Sequence, residues 1–139
     1  YDQWETMNKD GKWRFTSPTH VVLAFAQALK EMEEEGGIPA RAKRYEENNR
    51  LLIRKMGELG IHPYIGSEHQ GPIITTFLYP EHHNFSFQEM YQYIKDRGYA
   101  IYPGKVTDAD TFRIGNIGEI YKEDIEKLCS IIREFLEER

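Results

Sequence analysis

The sequence predicts an α+β fold in which two long helices precede a small two-layer domain with a three- or four-stranded, mainly antiparallel sheet. Apolar residues recur at helical spacing through most of the first 60 residues, whereas short β-branched and aromatic runs bracketed by proline and glycine follow them. Two further helical patterns, each with a single apolar stripe, are interleaved with these runs. Both helices can therefore cover one face of the sheet and leave the other face open. The predicted divisions are 1–37, 38–60 and 61–139.

The first helix is predicted to follow "TSPTH", where Thr16 or Ser17 can cap it and Pro18 suits its first turn. A glycine pair at 36–37 ends this pattern, and a second helix is predicted from near Pro39 to Gly60. The stretch before the first helix, 1–15, shows no clean period. Its bulky aromatic residues are expected to pack on protein outside this chain: Trp4, Trp13 and Phe15.

The small domain begins with "IHPYIG", a candidate strand that its proline restricts to an edge of the sheet. Three further strands are predicted in "PIITTFLYP", "YAIYPG" and "TFRIG". Ser86, followed three residues later by Glu89, predicts a capped helix that stops at Gly98. The last helix is predicted to place four apolar residues on one face: Ile125, Leu128, Ile132 and Phe135.

Composition restricts the kinds of partner. The formal net charge is −5 and there is no basic stripe, so nucleic acid is an unexpected partner. The sequence has no long apolar run, which argues against a membrane span. A single cysteine, Cys129, cannot form an internal disulfide, and this favours a cytoplasmic setting. We expect Cys129 to be a buried structural thiol on the last helix.

Arg113 is the residue of greatest functional interest. It alternates with Phe112 and Ile114 in a predicted strand, and two glycines, Gly115 and Gly118, follow it. An arginine in this position is often only a solvated side chain on the face away from the core. It can also bind an anion, because its planar guanidinium matches the paired oxygens of a carboxylate, phosphate or phosphonate. The glycines would allow close backbone approach or a positive φ.

No metal site or nucleophile is predicted. His82 and His83 are adjacent in sequence, and adjacent histidines seldom converge on one ion. The chain has no Ser/His/Asp arrangement, no Walker loop and no dinucleotide-binding fingerprint. We therefore assign no catalytic residue within the 139 residues.

Two motifs resemble one enzyme family. "KWRFTSPTHVVLAFAQAL", followed by "GG" and "RYEENNRLL", is similar to the C-terminal third of 2-aminoethylphosphonate–pyruvate aminotransferases, and "FRIGNIGEIYKEDIEKL" resembles their closing motif. The resemblance covers the whole chain. The "WRFTSPTH" stretch is characteristic of that family, whereas "RIGNIG" also resembles alanine–glyoxylate and serine–pyruvate aminotransferases.

The resemblance implies the pyridoxal-phosphate-dependent fold of the aspartate aminotransferase superfamily, a homodimer, and conversion of 2-aminoethylphosphonate and pyruvate to phosphonoacetaldehyde and L-alanine. It implies that Arg113 binds the phosphonate or carboxylate of the substrate. It also implies that Thr16 contacts the cofactor phosphate of the neighbouring subunit, although Thr16 and Ser17 can equally be simple helix caps. Trp13 and Arg14 would line the same region.

The resemblance also implies that the lysine forming the Schiff base with the cofactor lies upstream of "WRFTSPTH". Lys9, Lys12 and Lys105 do not lie in the family's lysine motif. We therefore expect 1–139 to be the end of a large domain, a bridging helix and a complete small domain, inactive alone. Two alternatives stay open: a related alanine- or serine-specific aminotransferase, and a stand-alone regulatory module that binds a small molecule.

Overall fold

The computed structural model describes residues 1–81, 85–104 and 108–138. These residues form, in chain order, α1 (Asp2–Asp10), α2 (Thr19–Glu34), α3 (Gly37–Gly57), β1 (Ile74–Leu78), α4 (Phe87–Lys95), β2 (Tyr102–Pro103), β3 (Thr111–Gly115) and α5 (Lys122–Glu137). The chain separates into two compact units, Tyr1–Arg41 and Ala42–Arg139, with the boundary inside α3. The three predicted divisions stay a prediction.

The first unit contains a helix that the sequence did not predict. α1 has two acidic residues in its first turn, Asp2 and Glu5, and Lys9 in its last turn, an arrangement that complements the helix dipole. Gly11 ends it with a φ of 72°, and its N–H donates to the carbonyl of Met7. Local capping and charge thus form a helix even though the apolar pattern of this stretch is weak.

The second helix of this unit, α2, begins at Thr19 rather than at the predicted Thr16 or Ser17. Its N-cap position is Pro18, and no side chain caps it, so the predicted capping role of both hydroxyls is wrong. None of the sixteen α2 residues, all of them described, is buried, and Val21, Leu23 and Phe25 are exposed. Helices that are apolar on most sides are usually covered by other protein.

The second unit starts within α3, which the sequence predicted with nearly correct bounds. Its buried residues lie in the last three turns: Asn48, Asn49, Leu51, Leu52 and Met56. The helix is followed by Gly60, whose φ is 73°, and the N–H of Ile61 turns back to the carbonyl of Met56. This glycine termination directs the chain back toward the sheet.

Within the described residues the sheet has three antiparallel strands in the order β1-β3-β2, so β3 is central. The predicted strand at 61–66 is reduced to a single bridge between Pro63 and Phe77. Tyr64 donates to the carbonyl of Thr76, and Leu78 donates to that of His62. Pro63 has no N–H to donate, which explains why a full strand does not form here.

One face of the sheet carries the core. Phe77 of β1 and Phe112 of β3 are paired across the strands and lie 5.7 Å apart between ring centroids. They belong to one buried cluster with residues of α3, α4 and α5, among them Leu52, Met56, Met90, Ile94 and the four predicted residues of the last helix. Ser86 caps α4 as predicted, accepting from the N–H of Glu89. The predicted small α+β domain, with helices on one face of an antiparallel sheet, is confirmed.

Candidate functional site

Arg113 lies at the middle of β3, the central strand, and on the face opposite the core. Its neighbours Phe112 and Ile114 are buried, and the alternation of a strand directs its own side chain the other way. Thr76 of β1 and Tyr102 of β2 are its two cross-strand partners. Directly paired residues share a face, so these three side chains form one row across the open face of the sheet.

The Arg113 side chain is half-buried and held by a backbone carbonyl. Its Nε donates to the carbonyl oxygen of Pro103, 3.2 Å away. No carboxylate within the described part of the chain lies at ion-pair distance from it. Because Nε is occupied, the two terminal nitrogens remain as an end-on fork that can donate to paired oxygens of an anion.

A buried amide fixes the chain just beyond β3. Asn116 is fully buried, and its Nδ2 donates to the carbonyls of Pro72, at 2.8 Å, and Tyr45, at 3.2 Å. Its Oδ1 accepts from Nδ2 of Asn49, which also donates to the hydroxyl of Thr75. This network ties the end of the Arg113 strand to α3 and to the start of β1, and it was not predicted from the sequence.

The segment after Asn116 is held to α3 by two further side chains. Arg44 donates to the carbonyls of Gly118 and Ile120, and Asn48 also donates to that of Ile120. Gly118 has a φ of 100°, which requires glycine, and its N–H donates to the hydroxyl of Tyr45. Gly118, the second glycine after Arg113, therefore adopts a positive φ, which was one of the two predicted uses of these glycines. Nothing in the sequence around Arg44 and Tyr45 predicted that these residues would hold this segment.

Thr16 lies in the first unit, in the exposed segment before α2. Its hydroxyl has no hydrogen-bond partner among the described residues, and the N-terminus of α2 has no side-chain cap. Nearby Arg14 forms an ion pair with Asp2 at 2.7 Å and lies over the ring of Phe15. Arg113, the other predicted site residue, lies in the second unit, so Thr16 and Arg113 are each described within their own unit.

The described residues contain no group of three or more histidine, cysteine or acidic side chains that could hold a metal ion. His82, His83 and Lys105 lie outside the described residues. Cys129 is buried in the core cluster, as predicted for a structural thiol. No described helix is both long and apolar enough to cross a membrane.

Curated relatives support the resemblance inferred from the two motifs. The chain is 60% identical over 136 residues to a protein named 2-aminoethylphosphonate–pyruvate transaminase from Lysinibacillus sphaericus, a match that covers 98% of this chain and 37% of that protein. It is 58% identical over 133 residues to a protein of the same name from Bacillus thuringiensis, covering 95% of this chain and 36% of that protein. No family model matches the sequence. The chain thus spans about 37% of the length of the curated relatives it matches.

Solved structures support the fold. A ureidoglycine–glyoxylate aminotransferase from Bacillus subtilis matches 99% of this chain and 36% of its own with a TM-score of 0.85 at 18% identity. An alanine–glyoxylate aminotransferase from Nostoc matches 92% of this chain over 34% of its own length, with a TM-score of 0.81 at 19% identity. A phosphoserine aminotransferase with bound pyridoxal phosphate, from Trichomonas vaginalis, matches 94% of this chain over 37% of its own length, with a TM-score of 0.75 at 17% identity. The predicted resemblance, and a fold matching about a third of an aminotransferase chain, are therefore confirmed.

Proposed function

We propose that this chain is the substrate-acid-binding part of a pyridoxal-phosphate-dependent aminotransferase that converts 2-aminoethylphosphonate and pyruvate to phosphonoacetaldehyde and L-alanine. The observation that carries the proposal is the unpaired end-on fork of Arg113, on the open face of the sheet. The names of the relatives supply the substrates, and the guanidinium supplies a chemical reason why such substrates would bind here.

Arg113 would serve both half-reactions. The amine donor carries a phosphonate and the acceptor carries a carboxylate, and both groups present paired oxygens to two parallel N–H donors. Because the carbonyl of Pro103 fixes the guanidinium through Nε, little side-chain freedom remains to be lost when the anion binds. Holding the acid group at one end orients the amino or carbonyl group at the other.

The residues of the first unit suit the phosphate of the cofactor. The Thr16 hydroxyl has no described partner, and the N–H groups at the uncapped start of α2 favour an anion. We propose that Thr16 donates to the cofactor phosphate and that Trp13 and Arg14 lie nearby. Pyridoxal phosphate, when bound, supplies the electron-accepting chemistry of amino-group transfer. The family pattern places the lysine that binds it outside these 139 residues.

We further propose that the enzyme is a cytoplasmic homodimer of phosphonate catabolism. The exposed apolar residues of α2, including Val21, Leu23 and Phe25, support coverage by other protein, either within the same subunit or from a second one. The single buried cysteine is compatible with a reducing compartment.

A related activity is the second candidate, because an alanine–glyoxylate aminotransferase is among the structures that share the fold. The donor separates the two possibilities. We expect the pyridoxal-phosphate-loaded enzyme that contains this chain, hereafter the holoenzyme, to react faster with 2-aminoethylphosphonate than with L-serine, and to prefer pyruvate to glyoxylate as acceptor. The opposite preferences would favour the second candidate.

Substitution of Arg113 tests the anion-binding role. In the holoenzyme, Arg113→Ala should lower kcat/KM for both 2-aminoethylphosphonate and pyruvate, because a charged bidentate contact contributes about 2–5 kcal/mol. That range corresponds to a loss of at least about thirtyfold. Arg113→Lys should recover only part of the loss, since lysine keeps the charge but has no fork.

Arg50→Ala is the matched control. Arg50 is an exposed arginine whose ion pair with Glu46 lies along one helix, so its loss should leave both kcat/KM values unchanged. Kinetics of Arg113→Ala equal to those of the Arg50 variant would mean that the acid group binds elsewhere.

A further inference from the structure

We propose that Tyr102 is a second substrate-contacting residue, whose hydroxyl donates to a phosphonate oxygen and so favours the phosphonate substrate over the carboxylate substrate. The inference rests on the proposed anion-binding role of Arg113 and adds to it a residue that sets specificity. It starts from the row of side chains across the open face of the sheet.

Tyr102 lies beside Arg113 on the edge strand. The two residues are directly paired in the antiparallel register of β2 and β3. Side chains of such a pair share a face, with Cβ atoms about 4.5–5.5 Å apart. Tyr102 is 58% exposed, and its hydroxyl has no hydrogen-bond partner in 1–81, 85–104 or 108–138. A large aromatic residue with an unused donor is therefore the cross-strand neighbour of Arg113.

The guanidinium is held on the Tyr102 side of the row. Its Nε donates to the carbonyl of Pro103, the residue that follows Tyr102 in β2. Arg113 thus leans toward the edge strand and away from its other neighbour, Thr76 of β1. This bond brings the guanidinium of Arg113 over β2, the strand that carries Tyr102. The hydroxyl of Thr76, by contrast, stays close to the backbone.

The number of substrate oxygens gives this hydroxyl a selective role. The end-on fork of Arg113 can donate to two oxygens, which satisfies a carboxylate. A phosphonate has a third oxygen, out of the plane of the fork, that needs another donor. The tyrosine hydroxyl can supply that donor. The hydroxyl would therefore stabilise bound 2-aminoethylphosphonate while contributing little to bound pyruvate or L-alanine.

Tyr102→Phe removes the hydroxyl and leaves the ring in place. We expect single-turnover kcat/KM of the holoenzyme for 2-aminoethylphosphonate to fall about tenfold or more, the loss expected for a hydrogen bond to a charged group. The same constant for L-alanine should change by less than about twofold. A role in folding alone would lower both constants together, so their ratio is the diagnostic quantity.

Tyr91→Phe is the matched control. Tyr91 lies on α4, which packs on the core face of the sheet, and its ring contacts Phe87 and Lys95. This variant should leave the ratio unchanged. Thermal unfolding of both variants checks that each is folded, and exposed Tyr102 is expected to tolerate the change.

Arg113→Ala, measured in the same assay, separates the two proposals. If Arg113→Ala lowers both constants and Tyr102→Phe lowers only that for 2-aminoethylphosphonate, both proposals stand. If Arg113→Ala lowers both constants but Tyr102→Phe leaves their ratio unchanged, the Tyr102 role is wrong and the Arg113 role survives. If Arg113→Ala changes neither constant, both proposals fall.

Discussion

Asn116 is a single buried side chain that joins three parts of the second unit. Its amide donates to backbone carbonyls of α3 and of the segment before β1, and it accepts from Asn49. Buried amides with several partners are expensive to leave unsatisfied, so the network fixes one arrangement of the strand end. The network thereby also restrains the backbone at Arg113, three residues earlier in the chain.

Cys129 offers a prediction about stability at high pH. Burial, the largest cause, raises the pKa of its thiol from 9.0 to about 11 in the folded chain. Between these two values the unfolded chain loses the proton and the folded chain keeps it, so ionisation favours unfolding. Below about pH 9 the thiol should therefore leave the free energy of unfolding unchanged. As the pH rises through 11, its ionisation should lower the free energy of unfolding by as much as about 2–3 kcal/mol.

The difference between the native chain and Cys129→Ala isolates this effect. Urea unfolding at pH 8 to 11 should show the native chain losing stability faster than the variant above pH 9, because other titrating groups are common to both. Parallel curves would mean that the thiol ionises equally easily in the folded and unfolded chains.

At the scale of elements, the pairing of β2 with β3 positions Arg113. The N–H of Gly104 donates to the carbonyl of Thr111 at 2.8 Å, one residue after the Pro103 that holds the guanidinium. A Cβ at 104 would overlap the Thr111 hydroxyl and lie 2.5 Å from its carbonyl oxygen. Only glycine allows the strands to approach this closely.

Gly104→Ala should therefore push β2 away from β3 and lower the free energy of unfolding by about 1–3 kcal/mol. Gly57→Ala is the control, since a Cβ there meets nothing within 4 Å and its φ is not positive. At this helical position alanine should be neutral or stabilising by up to about 1 kcal/mol. Equal free energies of unfolding of the two variants in urea would show that β2 and β3 can separate enough to accept the Cβ without loss of stability.

The elements that the sequence predicted best are those whose apolar residues face one core. The stripe of α5 and the alternation in β1 and β3 follow from packing against a single surface, and alternation alone placed Arg113 opposite Phe112 and Ile114. α1 was missed because its helix depends on end charges and a glycine cap rather than on an apolar stripe.

Contacts between distant segments could not be predicted. The bond from Arg113 to Pro103 depends on the register of two strands, and those from Asn116 depend on where α3 packs. A one-residue change of register would abolish the first bond, and no local sequence pattern records how β2 is aligned with β3.

At the scale of the whole molecule, the chain spans about 37% of the length of the curated relatives it matches. The resemblance to the aminotransferase family implies that the cofactor lysine lies outside 1–139. We predict that the 139-residue chain binds no stoichiometric, lysine-linked pyridoxal phosphate. Ultraviolet–visible titration followed by gel filtration should leave a protein fraction without a cofactor band. A stable band at one cofactor per chain would contradict the proposed division of roles.

The most direct test of the central claim is a crystal structure of the holoenzyme with a non-reactive phosphonate analogue of the substrate. We predict that the two terminal nitrogens of Arg113 each lie about 2.7–2.9 Å from a phosphonate oxygen, with Nε still bound to Pro103. A phosphonate held by other residues, with the Arg113 fork facing solvent or paired with a carboxylate, would contradict the claim.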